Sequence, residues 1–210
     1  MGEPKQSRSE RTQERLLRAA ETLILEKGLA DASVPEIARR AGSSVGGFYA
    51  RFPDKGALLR ALEERFFAEM LGRVAKLADA GRWRDAPIAR IARACADELV
   101  SVFRERRNLI AAFLHRATRD PEMLAEALRF RAQTAERIAA LLLPRRDELR
   151  HRDPRLAIDL GVQFAFALML QLVVVGDVRA GGRVLGDREL VAEITRNFLS
   201  YIGAPTGDHP

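Results

Sequence analysis

Apolar residues recur along this chain at spacings of three and four, the period of a helix that buries one face, and no run alternates at the period of two that a half-buried strand requires. Leu16, Leu17, Ala20, Leu23 and Ile24 make one stripe, with Ser9 or Thr12 as candidate caps ahead of it and Gly28 as its stop. Ser33 predicts the start of a short second helix carrying Ile37, Ala38 and Ala41. Pro35 fits its first turn, and Glu36, three residues beyond the cap, predicts a capping box. Gly42 ends it. Ser44 then caps a third helix, from Val45 to Arg51, stopped before Pro53. Asp54 caps a long fourth helix through Leu58, Leu62, Phe66, Phe67 and Met70. Further helical periods run over residues 87–106, 109–117, 121–143, 154–178 and 187–202, each ending near a proline, a glycine or a charged cluster.

The architecture read from this pattern is all-α, with about nine helices. Val173, Val174 and Val175 are β-branched but close a long helical pattern. No internal repeat is present, and the only low-complexity piece is the tail from Gly203. At 210 residues, 47% hydrophobic and 30% charged, the chain has the make-up of a soluble globular protein of one large domain or two that share an interface. The most apolar run, Gly161 to Gly176, is shorter than a usual membrane span and contains Gln163 and Gln171, which predicts a buried helix and no membrane partner. The polar first ten residues lack the apolar core of a signal peptide, and the single cysteine, Cys95, cannot close an internal disulfide. Both features point to a cytoplasmic protein, with Cys95 an inert thiol.

A net charge of +6 and a pI near 10.2 favour a polyanionic partner without choosing among DNA, RNA and anionic lipid. The stretch "GSSVGGFYARFPDK", residues 42–55, narrows the choice. Its first five residues spell a nucleophile-elbow pattern, so a serine hydrolase using Ser43 or Ser44 is one reading. An elbow needs a strand running into the turn, however, and the residues before Gly42 have helical spacing. It also needs a histidine and an acid, and the chain holds only His115, His151 and His209. The other reading takes two short helices joined at Gly42 as a helix-turn-helix, the unit that places its second helix in the major groove.

The segment "SVPEIARRAGSSVGGFYARFPDKGALL" resembles the tetracycline-repressor (TetR) family of bacterial transcriptional regulators. The matching positions are Ser33, Ile37, Ala38, Ala41, Gly42, Ser44, Gly46, Phe48, Tyr49, Phe52, Lys55 and Leu58. The upstream "ERLLRAAETLILEKG" fits as well, so the resemblance covers roughly residues 12–62. From the chemistry of the residues, Ser33 and Ser44 would bring hydroxyls and helix-start amides to backbone phosphates. Tyr49, Arg51 and Lys55 would donate to phosphates on either side of the groove, and the resemblance implies the same contacts at the tyrosine and lysine. Base reading falls to Val45, Gly46 and Gly47, none of which can make a bidentate pair with a base. DNA shape, or an arm around Lys5, Arg8 and Arg11 in a minor groove, would then supply part of the specificity. Phe48 and Phe52 are expected in the core, and Arg39 and Arg40 in solvent.

The expected division is a DNA-binding domain over 9–54 and a larger helical domain over 55–203, with flexible tails at 1–8 and 204–210. The resemblance implies that the larger domain dimerises and holds a small effector. The sequence supports a homodimer independently: Leu190, Val191, Ile194, Phe198, Tyr201 and Ile202 share one face of the last helix, and the helix from Pro154 is apolar nearly all round. A two-fold dimer suits a palindromic operator on double-stranded DNA. Phe103, Phe113, His115, Phe130, Gln163, Phe164 and Met169, with Trp83, Phe166 and Asp159, could line an apolar or amphipathic effector's site or equally fill an ordinary core. No cofactor and no metal site is expected, since His115 has no partner at ligand spacing. The expected function is a dimeric, effector-released repressor, with the fourth helix as lever. A DNA-binding protein whose second domain serves assembly alone is the alternative.

Overall fold

The computed structural model describes residues 5–205, with nine α-helices and one small hairpin among them. In chain order these are α1 (Lys5–Lys27), α2 (Val34–Arg40), α3 (Val45–Tyr49), α4 (Lys55–Leu77), α5 (Ile88–Glu105), α6 (Arg107–Ala117), α7 (Pro121–Leu142), α8 (Pro154–Val175), β1 (Arg179–Ala180), β2 (Arg183–Val184) and α9 (Asp187–Ile202). The all-α expectation holds.

The largest departures from the predicted boundaries are at the start of α1 and the end of α8, where a short hairpin follows. Helix α1 begins at Lys5, so neither Ser9 nor Thr12 caps it, and Thr12 is a buried position inside the helix. The segment ahead of Thr12 is rich in Lys, Gln, Arg and Glu, good helix formers that carry the helix outward without an apolar stripe. Helix α8 stops at Val175, because Gly176 takes φ 101°, a conformation that ends the helix. Beyond it, Arg179 and Ala180 pair antiparallel with Val184 and Arg183 across Gly181-Gly182, whose φ values of 56° and 77° suit a two-residue hairpin turn. Strands of two residues are too short to show alternation.

The chain divides into two compact units. One comprises the chain up to Phe67 together with Arg106–Glu126, and the other Ala68–Glu105 with the chain from Ala127 onwards. In the first, Leu16, Ile24, Ile37, Phe48, Leu58, Leu62 and Leu109 are fully buried, and Phe66 packs on Phe113 with ring centroids 5.6 Å apart. Glu21 of α1 pairs with both Arg65 of α4 and Arg106, while Glu14 takes Arg65 at 3.1 Å. A half-buried carboxylate shared by two guanidiniums thus joins three parts of this unit.

In the second unit the core holds Ile88, Ile91, Ile138, Leu142, Ile158, Phe198, Leu199 and Trp83, whose indole N–H donates to the Leu77 carbonyl at 2.6 Å. The apolar face of α9 is used here: Leu190, Val191, Ile194, Phe198 and Ile202 are buried within the protomer, which corrects their expected place at a partner's surface. The face left uncovered belongs to α8, where Val174 is 76% and Val175 66% exposed and Leu156 and Phe164 lie nearly half exposed. Only 28% of the most apolar window of α8 is buried, so the expectation of a buried helix is corrected too. By length and composition this helix could cross a membrane. At the end of α9, Gly203 caps the helix in the left-handed region and the buried Ala204 donates to Leu199, so the chain is still packed where a free tail was expected to begin.

Candidate nucleic-acid interface

Helix α2 starts where its cap predicts: the Ser33 hydroxyl accepts from the Glu36 amide at 3.4 Å. The reciprocal half of the capping box is absent. The Glu36 carboxylate turns to Lys27 at the end of α1, and that hydrogen bond holds its carboxyl below the usual range. Arg40 makes two hydrogen bonds to Glu26, at 2.5 and 2.8 Å, and so tethers α2 to α1 rather than facing solvent alone. Arg39, with 77% of its side chain exposed, reaches Glu36 only at 4.0 Å.

The turn is closed by Gly42 at φ 60°, with the Ser43 amide donating to Ala38 at 2.9 Å and the Gly42 amide to Arg39 at 3.1 Å. Helix α3 follows at once, capped by Ser44, whose hydroxyl accepts from the Gly47 amide at 2.9 Å. Five residues with two glycines make a poor helix by propensity. The anchor is Phe48, fully buried, with Tyr49 edge-on at 5.3 Å and Phe52 at 5.7 Å between centroids. Anchoring on Phe48 turns Val45, Gly46 and Tyr49 outward, Tyr49 with 53% exposure.

The two glycines differ. A methyl at Gly46 would meet nothing closer than the Ser44 hydroxyl at 3.8 Å, whereas one at Gly47 would lie 2.5 Å from the Ser43 hydroxyl oxygen. A side chain at Gly47 would have to displace the Ser43 hydroxyl, and Gly46 leaves open backbone on the exposed face. The two basic candidates also have partners inside the protein. Arg51 donates to the Gly47 carbonyl at 2.9 Å and to Ser9 at 3.4 Å, and the Lys55 ammonium donates to the Leu29 carbonyl at 2.5 Å. Burial holds Lys55 below its usual range. Of the suggested arm, Arg11 is exposed on α1, and the side chains of Lys5 and Arg8 lie outside what the structure describes.

The elbow reading fails on this geometry. The chain before Gly42 is helix α2, and Ser44 is engaged as a cap. The seven residues suggested for an effector fall in both units. Phe103 and Phe130 each pack edge-on against Phe166 at 6.1 Å in the second unit, where Met169 is buried. Gln163 and Phe164 are exposed, Phe164 against the Tyr201 ring at 5.6 Å. Phe113 and His115 belong to the first unit, Phe113 in the Phe66–Phe67 cluster and His115 exposed beside Arg119. Helix α8 is capped by Asp153, accepting from the Leu156 amide at 3.0 Å. Burial, with Glu98 nearby, pushes the Cys95 thiol up to about 12, so the reactive thiolate is disfavoured.

Two helices crossing at a left-handed glycine, with the start of the second exposed and its base anchored in a core, define a helix-turn-helix DNA-binding protein. The family model for bacterial regulatory proteins of the tetR family matches residues 16–62, and that for the tetracyclin repressor-like C-terminal domain matches residues 87–201. The chain belongs to the TetR family and is a transcriptional regulator, not an enzyme. Over 61 residues it is 39% identical to YvdT, an uncharacterized HTH-type transcriptional regulator of Bacillus subtilis strain 168, a match covering 29% of this chain and 31% of that one. Among solved structures, a protein from Mesorhizobium loti MAFF303099 shares 20% identity with a TM-score of 0.72, over 93% of this chain and 97% of that one. RolR, solved in complex with resorcinol, gives 20% and 0.59 over 97% and 93%. The TetR-family regulator PfmR of Thermus thermophilus gives 16% and 0.61 over 90% and 98%.

Proposed function

We propose that the protein is a dimeric repressor that binds a palindromic operator through α3 and is released by a small apolar or amphipathic effector. The observation that carries this reading is the outward face of α3, where Val45, Gly46 and Tyr49 are exposed around a buried Phe48. In this reading Val45 meets a thymine methyl, Gly46 allows close approach of backbone to bases, and Gly47 leaves room for the Ser43 hydroxyl in the turn that presents them. Ser33, Ser44 and Tyr49 hold flanking phosphates. Arg51 and Lys55 act from the ends of their internal hydrogen bonds, orienting α3 and the start of α4. The DNA-binding domain is residues 9–54 and the regulatory domain 55–203.

The uncovered apolar face of α8 supports the dimer: exposed Leu156, Phe164, Val174 and Val175 recur at helical spacing along one side. A second copy bearing the same face would cover them by two-fold symmetry. The effector's class is supported by the aromatic cluster of Phe103, Phe130 and Phe166, and by the phenolic ligand with which RolR was solved. An effector favouring a conformation whose two α3 helices no longer match the half-site spacing lowers operator affinity, by about five- to 150-fold for ordinary coupling energies.

Selection of bound duplexes from random DNA tests the reading. A palindrome with half-sites about one helical turn or more apart is expected; enrichment of unpaired sites, or none, would overturn it.

A further inference from the structure

In the first unit, a concavity of about 250 Å³ opens between the first turn of α4, the last turn of α6 and the loop at Leu29. Every charged residue that lines it is basic: Lys55, Arg116 and Arg119, joined by the imidazole of His115. Cations at the end of α6 suit the negative pole of that helix. The same cannot be said where they point, because the Arg116 guanidinium lies on the first turn of α4, against a positive pole. Gly56 allows this approach, since a methyl there would fall 2.6 Å from Arg116 Nη2.

Asp31 lies near enough to favour the charge on Lys55, and two other carboxylates nearby are engaged. Asp54 caps α4 by accepting from the Ala57 amide at 2.7 Å, and Asp120 accepts from Arg60 at 2.9 Å while reaching Arg116 Nε only at 3.6 Å. That Nε is buried without a hydrogen-bond partner. Lys55 gives one of its three donors to Leu29 and is held below its usual range by burial. Three basic side chains thus converge beside the first turn of α4 at one small concavity, an arrangement that suits an anion.

We propose that this concavity binds a small phosphate-class oxyanion, with Lys55, Arg116 and Arg119 as charged donors and the His115 imidazole, which accepts from Arg119 at 3.0 Å, holding that guanidinium in place. The volume lies below the roughly 300–1,000 Å³ of sites for drug-sized molecules, so the ligand is inorganic phosphate or a compact phosphorylated or sulfated metabolite. Because it would hold the end of α6 to the start of α4, its occupancy stabilises the unit that carries the helix-turn-helix. The site is distinct from the effector site proposed above and stands without it.

The test uses the full-length, DNA-free protein titrated with inorganic phosphate against chloride at matched ionic strength, followed by calorimetry and thermal unfolding. Saturable binding with a rise in Tm specific to phosphate is expected. Arg119→Ala, at an exposed position, should weaken it about tenfold, the loss of one charge-assisted hydrogen bond, with unchanged helicity. Gly56→Ala, which displaces Arg116, should weaken it as well. If either variant fails to fold, His115→Gln replaces it. No phosphate-specific binding to the wild-type protein, or binding indifferent to all three substitutions, overturns the proposal. Loss of duplex affinity in Arg119→Ala without any phosphate binding would assign the cavity to a phosphate of the DNA backbone instead, and also overturns it.

Discussion

Gly161 of α8 lies against the ring of Phe198 on α9, so close that a methyl on its Cα would stand 2.6 Å from Cδ2 and 2.8 Å from Cε2. Both residues are buried in the core of the second unit. The ring cannot retreat cheaply from a close-packed interior. Gly161→Ala is therefore expected to destabilise the protein by about 1–3 kcal/mol despite the better helix propensity of alanine. Urea unfolding checks this, and an unchanged midpoint would show that Phe198 has room to turn.

Gly46 offers the opposite case. Its Cβ position is open, so Gly46→Ala should keep or raise stability, by up to about 1 kcal/mol, because an exposed helical glycine is replaced. The same methyl stands on the outward face of α3. Operator affinity is expected to fall while thermal stability does not, a divergence read by parallel mobility-shift and unfolding measurements.

Tyr49→Phe removes one exposed hydroxyl and leaves the ring packed edge-on to Phe48. Stability should not change. DNA affinity should fall without altering the salt dependence, since a neutral donor releases no counterion, whereas loss of a lysine or arginine phosphate contact lowers the slope by about one. Titrations at several salt concentrations separate the two.

Glu63 is buried in α4, and its carboxyl is pushed up to about 8, first by burial and then by the charges of Glu126, Asp120 and Glu64. The unfolded chain releases this proton near pH 4.3. Between about 4.3 and 8 the folded state therefore holds a proton that the unfolded state has lost, and stability declines as pH rises, by up to about 1.4 kcal/mol per pH unit, then levels off. Glu63→Gln removes that slope. Its advantage over the wild type should grow from pH 5 to pH 8 in denaturation experiments, and parallel curves for the two proteins would contradict it.

On α8, a charge at the most exposed apolar position is expected to separate the proposed dimer without unfolding the protomer. Val174→Glu, at a position 76% exposed, should sediment as a monomer with wild-type helicity and lose affinity for the paired half-sites. A dimer that survives this substitution would place the interface elsewhere.

Local chemistry made much of the DNA-binding segment legible. Ser33, Ser44 and Asp54 announce helix starts because a short hydroxyl or carboxylate can satisfy a first-turn amide from its own residue, and all three do so. Glu36 shows the limit of that logic: the capping box needs its carboxylate at home, and Lys27, nine positions earlier in the chain, takes it. Arg51 and Lys55 have the right chemistry for phosphates, yet their acceptors at Gly47, Ser9 and Leu29 are set by the packing of helices on one another.

The order and number of the helices, the glycine turn and the membership of a regulator family were determined by the amino-acid sequence itself, since periodicity, capping and φ preference act over a few neighbouring residues. Which apolar face goes inward was decided by the tertiary structure. The stripes of α8 and α9 look equally able to meet a partner, and only their packing shows that the apolar face of α9 is enclosed while one apolar side of α8 is left uncovered. The meeting of Lys55, Arg116 and Arg119 around one cavity was decided there as well. Burial is a property of the whole chain's arrangement, because it depends on what residues far apart in sequence remove from water.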